Sequence, residues 1–311
     1  MHLTLRQLKV FEEVARRGSY TRAADALHLS QPAVSMQIKQ LESNAGLPLF
    51  EHIGKKIFLT EAGQELYSYS RQVSRSLEDV DEVFEQLKGI KKGRLNVTTV
   101  STASYFTTRM LAEFSRRFEG VDISLDVTNR RSLLRQLENN EPDLVIMGMP
   151  KDEEESSIIS QGFMENPLVM IAPVGHPLAN EKNIPLQRFA DESFVVREKA
   201  SGTRHAIEQY FAKQDVPFKF SMELSDNETI KQAVAEGFSL AIVSLHTLEL
   251  ELMARRVCVL DVDGFPIIRN WYIAHLKDKR LTPVASAFKE FVLTEAKRFI
   301  RLPETGIRTR E

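Results

Sequence analysis

The chain has 311 residues, of which 42% are hydrophobic and 27% charged. This composition indicates a globular, soluble protein, and the length allows two or three domains. No apolar run approaches the roughly 18 residues of a membrane-spanning helix, and the first segment carries charges, so we expect a cytoplasmic protein without a secretory signal. The single cysteine, Cys258, excludes an internal disulfide and a cysteine-rich metal site.

The net charge of −2 is unevenly distributed along the chain. Residues 1–60 hold eight Lys or Arg and five Asp or Glu, which leaves a net charge of +3 there and −5 in the remainder. A mildly basic N-terminal part joined to an acidic body is typical of a nucleic-acid-binding module attached to another domain.

The first three predicted elements are helices. Residues 4–17 carry apolar side chains at helical spacing, and Gly18 follows in the position that commonly ends a helix. Residues 19–43 predict two further short helices separated by a tight break at residues 28–30. A sharp turn between two such helices is the pattern of a helix-turn-helix.

The second helix of this pair has the features of a capped recognition helix. Val34, Ile38 and Leu41 recur at the spacing of one helix face, Ser30 is a suitable N-cap, and Pro32 sits near the first helical position. The functional interpretation is that the polar outer face enters a DNA major groove. A helical hairpin in an ordinary soluble core would show the same pattern, and this alternative remains open.

A wing and a long helix follow. Two short strands joined by a turn at Gly54, Lys55 and Lys56 predict a wing whose lysines reach DNA phosphates, or else an ordinary solvated turn. We therefore assign residues 1–60 to a winged helix-turn-helix domain and residues 61–89 to a linker helix.

The linker helix carries a heptad pattern. Apolar or semi-apolar side chains recur in steps of four and three residues, at Leu66, Ser70, Val73, Leu77, Val80, Phe84 and Leu87. Such a row on an isolated helix predicts a homodimer through this segment, with Ser70 as its weakest position. Packing on the C-terminal domain is the alternative.

Alternating strand and helix patterns fill residues 90–311 and predict an α/β domain with a parallel sheet. Subdomain 1 is expected at residues 94–163 and 268–302, and subdomain 2 at residues 164–267. The predicted fold class is thus multidomain, with an all-α winged helix-turn-helix and long linker helix followed by an α/β domain of two subdomains.

Polar side chains gather where the predicted strands end and helices begin. Ligands of open parallel sheets bind at this edge, because hydroxyls and free N–H groups at helix starts suit carboxylates and phosphates. The candidate effector-binding residues are Ser101, Thr102, Asn129, Met149, Ser201, Thr203, Arg204 and Asn227. Each one singly could be an ordinary helix cap, and their convergence on one cleft favours a small anionic ligand.

The chain shows no nucleophile elbow, P-loop, dinucleotide fingerprint or His pair at metal spacing. We expect no catalytic residue, metal site or cofactor. Two alternatives to a DNA-binding protein remain, namely a cytosolic small-molecule binding protein and an enzyme on the same α/β scaffold.

The order of these parts resembles the LysR-type transcriptional regulators over nearly the whole chain. The motifs that carry the resemblance are ARRGSYTRAADALHLSQPAVSMQIKQLE and GLPLFEHIGKKIFLTEAG. The resemblance implies a winged helix-turn-helix bound to promoter DNA, a dimerising linker helix, an effector domain of periplasmic-binding-protein type, and a homotetramer. The segments NVTTVSTASYF and REKASGTR are similar to regulators of carbon-fixation (RuBisCO) operons, which implies phosphorylated metabolites or reduced nicotinamide nucleotide as effectors.

The resemblance also implies two sets of DNA contacts by motif position. Base edges would be read by Gln31, Pro32, Ser35 and Met36. The DNA backbone would be contacted by Ser19, Thr21, Lys39 and Lys55. Many family members carry Arg at the Met36 position, where it reads guanine directly, whereas Met offers only apolar contact. We therefore expect a ligand-responsive DNA-binding regulator that senses a small, anionic, phosphorylated metabolite.

Overall fold

The computed structural model describes residues 3–54, 56–87, 93–150 and 156–305, leaving aside the side chains of residues 78, 79 and 81–87. These residues form two compact units. The first comprises Met1–Leu87 with Glu138–Glu141, and the second comprises Lys88–Leu137 with Pro142–Glu311. No helix in the described ranges is both long and apolar enough to cross a membrane.

The first unit contains three short helices, a two-stranded sheet and one long helix. Its elements are α1 (Leu5–Arg17), α2 (Tyr20–Leu27), α3 (Gln31–Ala45), β1 (Phe50–Ile53), β2 (Lys56–Leu59) and α4 (Glu61–Leu87). The strands pair antiparallel and form the predicted wing. The predicted break between α2 and α3 is confirmed, because His28 ends α2 in the left-handed region and the Ser30 Oγ accepts the Ala33 N–H at 3.4 Å.

The core of the first unit lies between α1, α2 and α3. Phe11, Val14, Ala23, Ile38 and Leu41 are fully buried there. The small side chain of Ala23 allows α2 to lie close to its neighbouring helices.

The start of α4 packs tightly on the chain that precedes the wing. A Cβ on Gly63 would lie 2.1 Å from the Leu49 carbonyl oxygen, so a larger residue there would displace the helix. The Thr60 N–H donates to the same oxygen at 3.1 Å. Glycine is required here by the close approach rather than by its backbone angles.

The heptad row of α4 divides into two parts. Leu66 packs on the core of the first unit, and Ser70 is fully buried with its Oγ donating to the Tyr67 carbonyl at 2.9 Å. By contrast, Val73, Leu77 and Val80 are 37%, 46% and 47% exposed. The remaining members, Phe84 and Leu87, have side chains outside the description. The first two positions of the heptad row are therefore buried within the first unit. This corrects the expectation that the whole row is open to a second copy of the helix.

The second unit is built on a sheet whose described part has nine strands. They are β3 (Gly93–Val100), β4 (Val121–Thr128), β5 (Leu144–Gly148), β6 (Ile158–Pro173), β7 (Ser193–Arg197), β8 (Lys219–Leu224), β9 (Leu240–Ser244), β10 (Val257–Val259) and β11 (Ile267–Leu276). Their order is β4-β3-β5-β11-β6-β9-β7-β8, with β10 paired to β6. The helices are α5 (Ser104–Arg117), α6 (Arg130–Glu138), α7 (Gly202–Lys213), α8 (Asn227–Ala235), α9 (Glu249–Met253) and α10 (Pro283–Phe299).

The sheet has a parallel group at each end and an antiparallel centre. Strands β3, β4 and β5 are mutually parallel, as are β7, β8 and β9. The central strands β6 and β11 pair antiparallel with each other and with their outer neighbours. The sheet is therefore mixed, which corrects the expectation of a parallel sheet at its centre, where the long strands β6 and β11 pair antiparallel.

Each half of the second unit has its own apolar core. Phe114, Ile146 and Phe288 belong to one cluster, whereas Phe194 and Phe211 belong to another. Strand β6 belongs to both halves. Its first residues pair with β11 up to Leu168, and from Leu168 onwards it pairs with β9.

Candidate DNA-binding face and effector site

Helix α3 turns one face to the core and the opposite face to solvent. Val34, Ile38 and Leu41 are buried against α1 and α2. Three of the four predicted base-reading side chains, Gln31, Pro32 and Met36, are exposed. The fourth, Ser35, is half-buried at the edge of this face. The major groove admits one α-helix, so the exposed and mostly polar face of α3 can enter it.

The predicted contacts to the DNA backbone lie in several elements. Thr21 and Lys39 are exposed on α2 and α3. Ser19 caps α2, and its Oγ accepts the Arg22 N–H at 3.3 Å, which leaves its hydroxyl hydrogen able to donate to a phosphate. Lys55 lies outside the described residues.

The wing is held against α2 by ring stacking. Tyr20 and His52 stack with centroids 6.5 Å apart and planes inclined by 14°. Tyr20 also packs edge-on against Phe50 at 6.0 Å. Sequence periodicity did not indicate these contacts, which fix the first wing strand relative to the helix pair.

A small cavity of about 40 Å³ lies in the second unit, where strand ends meet helix starts. Five of the predicted effector-binding residues line it, namely Ser101, Thr102, Asn129, Ser201 and Thr203. These come from the ends of β3 and β4 and the start of α7, so the cavity sits between the two halves of the sheet. A wider adjoining pocket of about 630 Å³ is lined by Met149.

Arg204 does not line the cavity, which corrects the prediction for this residue. Its side chain is only 4% exposed and forms ion pairs with Glu208, at 2.7 Å, and with Glu223. The guanidinium also donates to the Arg197 carbonyl at 3.0 Å. Burial opposes its charge, but Glu208 and Glu223 together raise the pKa of Arg204. The side chain therefore joins α7 to β8 instead of facing a ligand.

Asn227 also lies outside the cavity lining, behind its wall. It is buried, its Nδ2 donates to Thr102 Oγ1 at 3.3 Å, and its Oδ1 accepts from Arg197 Nη1 at 2.8 Å. This side chain holds two lining residues in place. It has no open face for a ligand of its own.

Three arginines that are absent from the predicted effector-binding residues line the cavity. They are Arg130 at the start of α6, Arg197 at the end of β7, and Arg269 within β11. Among the described lining residues the one carboxylate is Glu198, which accepts from Arg197 Nε at 2.8 Å. The cavity wall is therefore rich in positive charge.

Arg197 joins the two halves of the unit. Its Nη2 donates to Ser101 Oγ at 3.2 Å and its Nη1 to Thr102 Oγ1 at 3.4 Å, both at the end of β3. Arg269 reaches in the other direction, from β11 to the Gly202 carbonyl at 2.7 Å. Both guanidinium groups thus contact backbone or hydroxyl groups across the cleft.

Arg130 and Arg269 meet at Gly202. A Cβ on Gly202 would lie 3.9 Å from the Nη1 atom of each. Burial, together with the charge of Arg130, lowers the pKa of Arg269. Because the two guanidinium groups carry like charges, an anion bound between them reduces their mutual repulsion.

Trp271 supplies a further indication of a ligand. Trp271 is one of the residues that line the same cavity, and its buried indole Nε1 has no hydrogen-bond partner within the described ranges. A buried donor without a partner is costly. The cavity lining therefore includes three guanidinium groups and the hydroxyls of Ser101 and Thr102, and Arg197 already donates to Glu198 and to both hydroxyls.

The wider pocket continues this positive surface outward. Arg130, Arg131, Lys199 and Arg269 line it, and none of its described lining residues is Asp or Glu. The electrostatic field of such an opening attracts anions toward the inner cavity. Across the described residues, no group of three His, Cys, Asp or Glu side chains is placed to hold a metal ion.

Comparison with known proteins identifies the class to which this architecture belongs. Residues 5–64 match the bacterial regulatory helix-turn-helix protein, lysR family, and residues 88–297 match the LysR substrate binding domain. The chain belongs to the LysR family of transcriptional regulators. The resemblance and the fold class predicted from the sequence are thereby confirmed.

Two relatives are similar to this chain over nearly its whole length. The RuBisCO operon transcriptional regulator of Allochromatium vinosum is 53% identical over 298 residues, covering 96% of this chain and 98% of the relative. The HTH-type transcriptional activator CmpR of Synechocystis is 44% identical over 289 residues, covering 93% and 94%. These relatives are named as transcriptional regulators, so the role of the family is non-enzymatic, as expected.

Solved structures show the same fold. The regulatory domain of Synechocystis CcmR in complex with 2-PG is 40% identical, with a TM-score of 0.63, and covers 66% of this chain and 98% of that chain. Full-length CbnR complexed with its target DNA is 19% identical, with a TM-score of 0.70, and covers 94% of this chain and 100% of that chain. The second likeness concerns the fold alone.

Proposed function

We propose that this regulator binds a small phosphorylated anion in the cavity of its second unit and thereby controls transcription of carbon-fixation genes. The observation that carries the proposal is the convergence of Arg130, Arg197 and Arg269 on a cavity lined by one carboxylate, which is itself paired. Phosphate and carboxylate groups are the ligands that arginine binds most strongly in proteins.

Two comparisons support the class of ligand and of target gene. The CcmR domain was solved with 2-PG, which is 2-phosphoglycolate, and that molecule carries a phosphate and a carboxylate. The Allochromatium relative is named for the RuBisCO operon. The negative charge of such a molecule is complementary to the arginine-rich lining of the cavity.

We assign DNA binding to the first unit and keep the roles that the sequence predicts for three segments of the chain. Residues 1–60 bind double-stranded promoter DNA, residues 61–89 dimerise, and residues 90–311 sense the effector. Gln31, Pro32, Ser35 and Met36 face the bases in this proposal. A regulator of this kind acts on chromosomal DNA, which assigns it to the cytoplasm.

The assembly we propose uses the exposed part of the heptad row. Val73, Leu77 and Val80 recur in steps of four and three residues and are open to a second copy of α4. Pairing there gives a homodimer, and two dimers give the homotetramer expected for the family. Effector binding between the halves would change the arrangement of the copies and hence the spacing of their DNA-binding units.

The experiment compares 2-phosphoglycolate with glycolate by isothermal titration calorimetry on the full chain. The two probes share the carboxylate and differ in the phosphate, so the phosphorylated one should bind at least tenfold more tightly. Inorganic phosphate supplies the anion alone. If none of the phosphorylated probes releases or takes up heat, or raises the thermal unfolding temperature, the proposal of a phosphate effector fails.

A further inference from the structure

The outer face of α3 carries one large apolar side chain at its centre. Met36 is 65% exposed, more than any other large hydrophobic residue described in the first unit. Its neighbours on this surface, among them Gln31, Lys39 and Gln40, are polar and also exposed. A solvent-exposed methionine in a polar surface has apolar area to bury only when a partner covers it.

The buried residues fix the direction in which Met36 points. At about 100° per residue, Met36 lies roughly 200° around the helix from Val34, and Val34 is fully buried together with Ile38 and Leu41. Met36 therefore points almost directly away from the core. It is also the sixth residue of α3, within the N-terminal part that meets base edges when a recognition helix enters the major groove.

The chemistry of methionine restricts what it can read in that groove. Its thioether is a weak acceptor with no donor, so it cannot match the donor and acceptor patterns of guanine, adenine or cytosine. The thymine C5-methyl group is the apolar group that the major groove presents. A flexible and polarisable side chain adapts well to such a contact.

We propose that Met36 is a specificity-determining residue that reads the C5-methyl group of one thymine in each half of the operator. This inference rests on the proposed role of α3 as the DNA-reading helix, and it goes beyond that role by naming the base and the group contacted. Pro32 lies one turn away on the same face and is also apolar. A loss of affinity on removal of a thymine methyl group must therefore be assigned to Met36 or to Pro32 by combining substitutions in the protein and in the DNA.

The test is a mutant cycle between protein and DNA. The full chain first selects its preferred duplex from a random-sequence DNA library, and each thymine of that duplex is then replaced singly by deoxyuridine, which removes only the methyl group. Burial of one methyl-sized group corresponds to about a fourfold change in affinity. At one thymine per half-site we expect the wild-type chain to lose about fourfold.

The variants assign the methyl effect to Met36. Met36→Ala removes the contact in both half-sites, so it should bind the thymine duplex about 15-fold more weakly, and uridine at either position should cause no further loss. Pro32→Ala, the matched control, should keep the uridine effect there. Lys39→Ala should weaken binding to both duplexes equally, because a phosphate contact carries no base information. Met36→Arg should shift the selected base at the same position to guanine.

Two results distinguish the failure of this inference from the failure of the proposed function. If a specific duplex is selected but uridine costs the same in wild type and Met36→Ala at every position, Met36 reads no methyl group and only this inference is overturned. If no specific duplex is selected at all, the DNA-reading role of α3 fails and the inference fails with it. Thermal unfolding of Met36→Ala should match wild type, since the side chain is mostly exposed.

Discussion

Replacing Arg269 by Gln should separate effector affinity from stability. Arg269 lines the cavity, and burial together with the nearby charge of Arg130 lowers its pKa, which means that its charge is costly while the cavity holds no anion. A hydrogen bond from a charged donor contributes about 1.5–3 kcal/mol. We therefore expect Arg269→Gln to weaken 2-phosphoglycolate binding about 10- to 100-fold.

The stability of the ligand-free protein should respond differently. The variant loses the charged donor to the Gly202 carbonyl, which costs about 1.5–3 kcal/mol, and offsets part of this loss by removal of a desolvated like charge. The melting temperature without ligand should thus stay within about 2–4 °C of wild type. Calorimetric titration and differential scanning fluorimetry measure the two quantities on the same preparation.

Arg204→Gln provides the matched control, because it makes the same chemical change outside the cavity. Arg204 is paired with Glu208 and Glu223, so its loss should lower the melting temperature while affinity for 2-phosphoglycolate stays within about twofold. The reasoning is refuted if Arg269→Gln binds the ligand like wild type, or if Arg204→Gln loses affinity as strongly as Arg269→Gln.

Three further predictions concern the remaining features. Gly63→Ala should destabilise the first unit by about 1–3 kcal/mol or more and abolish DNA binding, because the added Cβ would meet the Leu49 carbonyl; unchanged urea unfolding and DNA affinity would contradict the close approach. Leu77→Lys should weaken dimerisation at least about tenfold in sedimentation equilibrium, whereas Tyr69→Lys, exposed on the same helix but outside the heptad row, should not; equal effects would remove the row as the interface. Burial lowers the pKa of His246, so the folded state binds fewer protons than the unfolded state, and the free energy of unfolding should fall as pH falls below about 6.5. In urea unfolding, His246→Gln should lose less free energy of unfolding between pH 7.5 and 5.5 than wild type does. An identical loss would exclude this histidine as the source of the pH dependence.

Local sequence signals were sufficient for the first unit. The Ser30 cap, the break at His28 and the burial of Val34, Ile38 and Leu41 follow from residues within one or two helical turns, and these were predicted. The division of the heptad row was not, because it depends on how α4 packs against α1, where Ser74 Oγ donates to a Glu12 carboxylate oxygen sixty-two positions away in the chain.

The second unit was predictable in its elements and less so in their pairing. Strand periodicity indicated residues 167–173 of β6 and 270–275 of β11, but it carries no information on direction, and their antiparallel pairing joins residues about one hundred positions apart. A charged residue within the apolar strand IIRNWY was the one signal that could have found Arg269. Arg204 lies in the first turn after the N-cap Ser201, where a ligand-binding arginine would also lie. Only the burial of its side chain distinguishes a structural arginine from a ligand-binding one at this position.

Strand β6 passes without interruption from one half of the second unit to the other. Any rotation of one half against the other must therefore be taken up as torsion within a hydrogen-bonded ribbon, and a twisted ribbon resists with a restoring force that a flexible loop lacks. We therefore expect any rotation between the two halves to be small, because twisting β6 strains the hydrogen bonds that it makes with β11 and β9.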